Sequence, residues 1–182
     1  AGIAHVEDLI LTGTADLSGT GNQVQNRITG NSGNNLLRGL DGGDHLEGGA
    51  GNDELRGGNG NDVLNGGSGN DVLIGGEGGD GFQFDNFSVD TMLDFVSGNV
   101  ILLDAATFDQ IGESSTNPDR ILLEDAFVRG SAAQDAEDRI IHNPDTGEIF
   151  YDPDGSGSAA AILFAQVDPD TQLFSSQFRM FG

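Results

Sequence analysis

An all-β fold, wound as a coil of short strands, follows from three observations on this 182-residue chain. Between Gly30 and Gln83 the sequence repeats every nine residues, as GNSGNNLLR, GLDGGDHLE, GGAGNDELR, GGNGNDVLN, GGSGNDVLI and GGEGGDGFQ. Glycine opens every unit, and the sixth place holds Asn35, Asp44, Asp53, Asp62, Asp71 and Asp80. The eighth place holds Leu37, Leu46, Leu55, Leu64, Leu73 and Phe82. A backbone able to turn tightly, an acid and one apolar residue per unit describe a solenoid whose strands each send one side chain inward.

Three stretches differ in texture. In residues 1–29, Val6, Leu9 and Leu11 alternate loosely between Gly/Thr/Asn turns, and Gly21 to Thr29 keeps the nine-residue phase with Asn26 and Ile28 in register. This reads as a degenerate lead-in to the same coil. Residues 30–83 form the regular array. In residues 84–182 glycine thins and alternating segments predict a β-rich cap, with strands at Met92–Phe95, Val100–Leu103, Arg120–Leu123, Arg139–His142, Glu148–Tyr151 and Ala159–Phe164. Asn143 to Gly147 is expected as a hairpin loop, and Ser131 to Asp138 as a short helix. The opening residues fall mid-pattern, as in the C-terminal part of a longer protein, and show no N-terminal signal. No apolar run nears the roughly 20 residues of a membrane-spanning helix.

Thirty acidic residues face seven basic ones, all arginine, for a net charge of −23. Such a chain is hostile to nucleic acid and to anionic membranes, whose phosphates need Lys and Arg. It suits a protein that neutralises itself with bound cations. Cysteine is absent, so disulfides and thiolate metal sites are excluded.

The array needs such a cation. One buried Leu per unit, worth roughly 2 to 3 kcal/mol, does not offset the entropy of ordering nine residues rich in glycine. If two units complete one turn, loops 18 residues apart stack at the strand spacing of about 4.8 Å. Asn35, Asp53 and Asp71 then line one margin, and Asn26, Asp44, Asp62 and Asp80 the other. Neighbouring carboxylates at that spacing repel by roughly 1 kcal/mol even in a water-like medium. A hard divalent ion between loops reverses the sign. Calcium, taking 6 to 8 oxygens at about 2.3 to 2.6 Å, suits a shell of carboxylates and backbone carbonyls better than magnesium with its strict octahedron.

GGAGNDELR, GGNGNDVLN and GGSGNDVLI match every fixed place of GGxGxDxUx, and the array resembles the RTX nonapeptide repeat of secreted bacterial proteins. That resemblance implies a right-handed parallel β-roll, several calcium ions and no catalysis within this chain. It implies ligands from the side chains of Asp44, Asp53, Asp62, Asp71 and Asp80, with Asn35 replacing the acid in its unit. It adds loop carbonyls from Gly39, Asp41 and Gly42, from Gly48, Gly49, Ala50 and Gly51, and from Gly57, Gly58, Asn59 and Gly60. Gly66, Gly67, Ser68 and Gly69, then Gly75, Gly76, Glu77 and Gly78, complete the set. Sites that pair Asn26 or Asn35 are expected to be weaker or empty. DTMLDFVSGNVILL resembles the segment closing such a coil, in which Asp90 and Asp94 supply a further ligand. RIIHNPDTGEIFYDPDGSGSAAAILFAQV resembles the cap of proteins exported by a type I secretion apparatus, with the signal in the stretch ending at Phe178–Gly182. Extracellular localisation follows from that resemblance. A parent hydrolase with its catalytic domain upstream, or an adhesin binding a carbohydrate or cell-surface partner, stays open as an alternative.

Other motifs point elsewhere only weakly. Asp152-Pro153-Asp154-Gly155-Ser156-Gly157 starts like an EF-hand loop, but its twelfth place is Leu163, so a turn between strands is the favoured reading. His5, His45 and His142 lack metal-binding spacing, and no G-x-S-x-G is present. Acidic residues Glu113, Asp119, Glu124, Asp125 and Asp135 to Asp138 read as a solvated face. The x-U-x alternation sends Leu36, Arg38, Glu54, Arg56, Val72 and Ile74 outward on one sheet, and His45, Glu47, Val63, Asn65, Gly81 and Gln83 on the other. Val72 and Ile74 make an apolar patch that the cap is expected to cover. Neither face carries a regular Thr ladder, which argues against ice binding.

Overall fold

The computed structural model describes residues 7–111 and 120–182. His5, Val6, Glu113 and Asp119 lie outside the described residues. The lead-in contributes β1 (Asp8–Ile10), β2 (Ser18–Thr20) and β3 (Arg27–Thr29). The array contributes β4 (Leu36–Asp41), β5 (His45–Ala50), β6 (Glu54–Asn59), β7 (Val63–Ser68), β8 (Val72–Glu77) and β9 (Gly81–Phe84). These are longer than the three-residue strands of an x-U-x reading. The reason is that pairing continues round the corner, through Leu40 opposite Gly58 and Asp41 opposite Asn59.

Strands of one parity share a sheet. β1, β3, β5, β7 and β9 stack in parallel, as do β2, β4, β6 and β8 on the opposite side. The register is the 18-residue step that two units per turn require: Leu37 lies opposite Leu55 and Leu55 opposite Leu73, while Leu46 lies opposite Leu64 and Leu64 opposite Phe82. The column residues Ile28, Leu37, Leu46, Leu55, Leu64, Leu73 and Phe82 are all fully buried between the sheets. The fold is a parallel β-solenoid.

The sheets run on into the C-terminal half. β10 (Asp90–Met92) follows β8, and β11 (Val100–Asp104) follows β9 in the same parallel sense. Next come β12 (Phe127–Arg129), β13 (Ile140–Asn143), β14 (Glu148–Tyr151), β15 (Ile162–Val167) and β16 (Phe178–Phe181). β15 pairs with β10 and continues antiparallel through β14 to β13, whereas β16 closes the other sheet against β11. Aromatic rings replace the leucine column here: Phe108 packs edge-on against Phe164 (5.1 Å) and Tyr151 (5.2 Å), and Phe84 against Phe164 (5.3 Å).

The strand expected at Met92–Phe95 lies instead at Asp90–Met92, and three further expectations for the cap need correction. Arg120–Leu123 forms only an isolated bridge, Ile121 to Arg179. The last long strand begins at Ile162 rather than Ala159. Ser131–Asp138 is not helical, because Asp138 Oδ2 accepts N–H bonds from Gln134 (2.7 Å) and Asp135 (3.2 Å), and Asp135 Oδ1 accepts those of Glu137 and Asp138. Short acidic side chains thus compete successfully for the backbone donors a helix would use. The cap lengthens the sheets edge to edge, and Val72 and Ile74 are half-buried where β10 pairs with β8. No helix among the described residues is long and apolar enough to cross a membrane.

Candidate metal centre

Two rows of acids run along the margins where the coil turns between sheets. Each row is a hydrogen-bonded ladder in which a backbone N–H donates to the carboxylate one layer further on. On one margin Asn35 donates to Asp53 Oδ1 (2.6 Å), Asp53 to Asp71 Oδ1 (2.7 Å) and Asp71 to Asp90 Oδ1 (3.1 Å). On the other Asn26 donates to Asp44 Oδ1 (2.7 Å), Asp44 to Asp62 Oδ1 (2.7 Å) and Asp62 to Asp80 Oδ1 (3.0 Å). All of these side chains are buried.

The second oxygen of each acid is the informative one. Oδ2 of Asp44, Asp53, Asp62 and Asp71 is buried and accepts no hydrogen bond. An unpaired buried carboxylate oxygen is costly, and four in register call for a common partner. Their surroundings are oxygen-rich. A Cβ on Gly57 would overlap both Asp62 Oδ2 and the Gly75 carbonyl oxygen; one on Gly39 would overlap Asp44 Oδ2 and the Gly57 carbonyl oxygen, and one on Gly48 would overlap Asp53 Oδ2 and the Gly66 carbonyl oxygen. Each of these three glycines therefore faces a small cradle walled by a carboxylate and a carbonyl from the next layer. Among the described residues no three His, Cys, Asp or Glu side chains converge as a metal cluster, and the oxygens that meet at these cradles are one carboxylate oxygen and one main-chain carbonyl oxygen each. That is hard-cation chemistry.

Second- and fourth-place glycines serve a different end. Gly49, Gly58, Gly67 and Gly76, with Gly51, Gly60, Gly69 and Gly78, all have positive φ, between 85° and 140°. Side chains there would strain the turn that carries the carbonyls. Leu40 occupies a second place and is held at φ 91°. Third-place side chains point away from the cradles, as Asn59 shows by donating to Asp41 Oδ1 (2.7 Å).

Burial sets the electrostatics. It pushes the Asp53 and Asp62 carboxyls up to about 6, with the charges of neighbouring aspartates adding to the effect. Asp44, Asp71 and Asp80 are raised for the same reason. Asp90 is pushed to about 8, by burial first and then by the charge of Asp71.

The structure brings Asp44, Asp53, Asp62, Asp71, Asp80 and Asp90 into the two rows, with Asn26 and Asn35 at their beginning. Asn35 Oδ1 accepts the Asn31 N–H (2.8 Å) and lies beside the Gly48 carbonyl oxygen, so the cradle is kept without the charge. Asp94 stands apart from the rows: its two oxygens accept the N–H groups of Gly75 (2.9 Å) and Gly76 (2.7 Å). The Asp152–Gly157 segment is a turn, in which Asp154 N–H donates to Asp152 Oδ1 (3.1 Å). Asn99 escaped the sequence reading. The nine residues DFVSGNVIL repeat the unit's pattern one residue out of phase with the array, with Asn99 sixth and Ile101 eighth, and that was the available signal.

A parallel solenoid with stacked, cation-demanding acid ladders is the class of protein these features define. Residues 20–55 and 47–82 match the RTX calcium-binding nonapeptide repeat, so that stretch of the solenoid carries calcium-binding repeats. Calcium is the ion such repeats bind. No curated protein matches the chain in sequence. Among solved structures it is similar to the solution structure of the AlgE6R3 subunit from the Azotobacter vinelandii mannuronan C5-epimerase, at 22% identity and TM-score 0.43, covering 98% of this chain and 84% of that one.

Proposed function

We propose that this chain is a calcium-gated folding module of a secreted bacterial protein. Residues 1–29 lead in, residues 30–83 hold the ions, and residues 84–182 close the core. The observation that carries the reading is the set of four buried, unpartnered Oδ2 atoms, three of which, those of Asp44, Asp53 and Asp62, lie at cradles that main-chain carbonyls share. Asp44, Asp53, Asp62, Asp71, Asp80 and Asp90 would hold calcium through side chains. Loop carbonyls, of which those of Gly57, Gly66 and Gly75 already line cradles, would complete the shells. Bound calcium supplies the positive charge that lets both margins ionise while buried.

Extracellular calcium modules bind at roughly 10⁻⁴ to 10⁻³ M, so such a chain stays loose inside a cell and folds once outside. Binding energy becomes folding energy. Export through a type I apparatus in the unfolded state suits a self-repelling chain with a thin core. The module itself is non-catalytic in this reading, and any enzymatic or carbohydrate-binding activity belongs to other parts of a parent protein. Circular dichroism with calcium, with EGTA and with magnesium tests the gating. Strand signal should require calcium and return poorly with magnesium; strand content and melting unaffected by EGTA would refute it.

A further inference from the structure

The two acid rows end differently. On the margin of Asp53 and Asp71, Asp90 carries the ladder one layer further, and Asp71 Oδ2 is left unpartnered like those before it. On the margin of Asp44, Asp62 and Asp80, the next residue in register is Asn99, since Val100 lies opposite Gly81 and Ile101 opposite Phe82. Asn99 is 1% exposed. Its Nδ2 donates to Asp80 Oδ2 at 3.3 Å, so the oxygen that is unpartnered in Asp44 and Asp62 is here already engaged.

We propose that Asn99 terminates the calcium ladder on this margin, its side-chain amide standing against Asp80 where the earlier layers place an ion. The proposal rests on the calcium reading above and adds where that binding stops. Three contacts support it. Asn99 Oδ1 accepts nothing, so the Oδ1 ladder that joins Asp44, Asp62 and Asp80 breaks at this layer. Asp94 takes the N–H groups of Gly75 and Gly76, fastening the last glycine loop without a cation. Phe95 packs on Phe82 with ring centroids 5.7 Å apart, so an aromatic side chain occupies the closing layer.

The amide orientation gives the proposal its edge. With the amide reversed, Asn99 Oδ1 would confront Asp80 Oδ2, two acceptors that a cation between them would reconcile. Asn99 is thus either a terminator through Nδ2 or a ligand through Oδ1, and the two roles predict different ion counts.

The test is calcium stoichiometry by equilibrium dialysis on the full 182-residue chain, comparing wild type with Asn99→Ala and Asn99→Asp, each checked for folding by circular dichroism in calcium. A terminator predicts that Asn99→Ala binds as many ions as wild type and Asn99→Asp binds one more. Loss of an ion in Asn99→Ala would make Asn99 a ligand and overturn the proposal, as would a folded Asn99→Asp with no added ion. If Asn99→Asp does not fold, the alanine variant decides alone. Wild type taking up no calcium would overturn the calcium reading and this proposal with it; normal wild-type uptake with a wrong count in the variants overturns the proposal alone.

Discussion

Asp62→Asn should act in opposite directions with and without calcium. Asp62 lies mid-row: its Oδ1 accepts the Asp44 N–H at 2.7 Å, its own N–H donates to Asp80 Oδ1 at 3.0 Å, and its Oδ2 faces the cradle beside the Gly75 carbonyl. Asparagine preserves the shape and the Oδ1 bond, and its amide nitrogen finds that carbonyl as an acceptor. Without calcium, the variant is relieved of burying a charge between Asp44 and Asp80. Raising a carboxyl from 3.8 to about 6 corresponds to roughly 3 kcal/mol near neutral pH, an upper value for the gain. With calcium, the loss is of similar size: a double charge about 2.4 Å from a carboxylate oxygen is worth roughly 3 kcal/mol even with water-like screening. The gain is an upper value and the attraction, taken with water-like screening, a lower one. The calcium midpoint for folding moves with their difference, tenfold per about 1.4 kcal/mol, and should rise, while strand content in EGTA rises above wild type. Circular dichroism titrated with calcium at pH 7.4, started from EGTA, reads both quantities. An unchanged midpoint, or a variant less structured than wild type in EGTA, would refute the reasoning.

Further outcomes follow from the same geometry. Gly57→Ala leaves ordinary backbone conformation available but fills the cradle against Asp62 Oδ2 and the Gly75 carbonyl, so it should raise the calcium midpoint at least about as far as Asp62→Asn; a wild-type midpoint would mean the cradle is not the ion's place. Leu40→Gly relieves a positive-φ side chain that is 43% exposed and should raise the calcium-bound stability by about 1 kcal/mol, read as a higher melting temperature. In EGTA, the raised carboxyls of Asp53 and Asp62 (about 6) and Asp90 (about 8) bind protons more tightly folded than unfolded. Their contribution is complete below the unfolded value of 3.8 and is lost as pH rises through 6 to 8, so the calcium-free chain should gain strand content on acidification from pH 8 to 5. His142 opposes this, because burial holds its imidazole down to about 4 with neither ring nitrogen hydrogen-bonded. Stability is lost as pH falls below its ordinary 6.5, and His142→Leu should sharpen the gain in acid, as pH-dependent circular dichroism would show.

What the sequence made legible was what repetition makes redundant. Leu37, Leu55 and Leu73 could be placed in one column because six units hold the same phase, and a one-residue slip would turn every one of them outward. The acid rows came with that register. The cap lacked such redundancy. β16 is a short strand fixed by a partner far away in sequence, and Phe178 opposite Ile101 is a pairing no local pattern announces. The helix expected at Ser131–Asp138 failed because Asp135 and Asp138 capture nearby backbone donors, a local competition by side chains that also suit a helix start. At Asn99 the unit's pattern survived, shifted by one residue, but the acid did not, and the direction in which an amide points is settled only by its neighbours in space.

The most direct measurement is anomalous diffraction from crystals of the chain grown in calcium. Positive peaks are predicted in the cradles beside Asp44 Oδ2, Asp53 Oδ2 and Asp62 Oδ2, about 2.3 to 2.6 Å from each oxygen. Ordered coils with those three cradles free of metal would contradict the account.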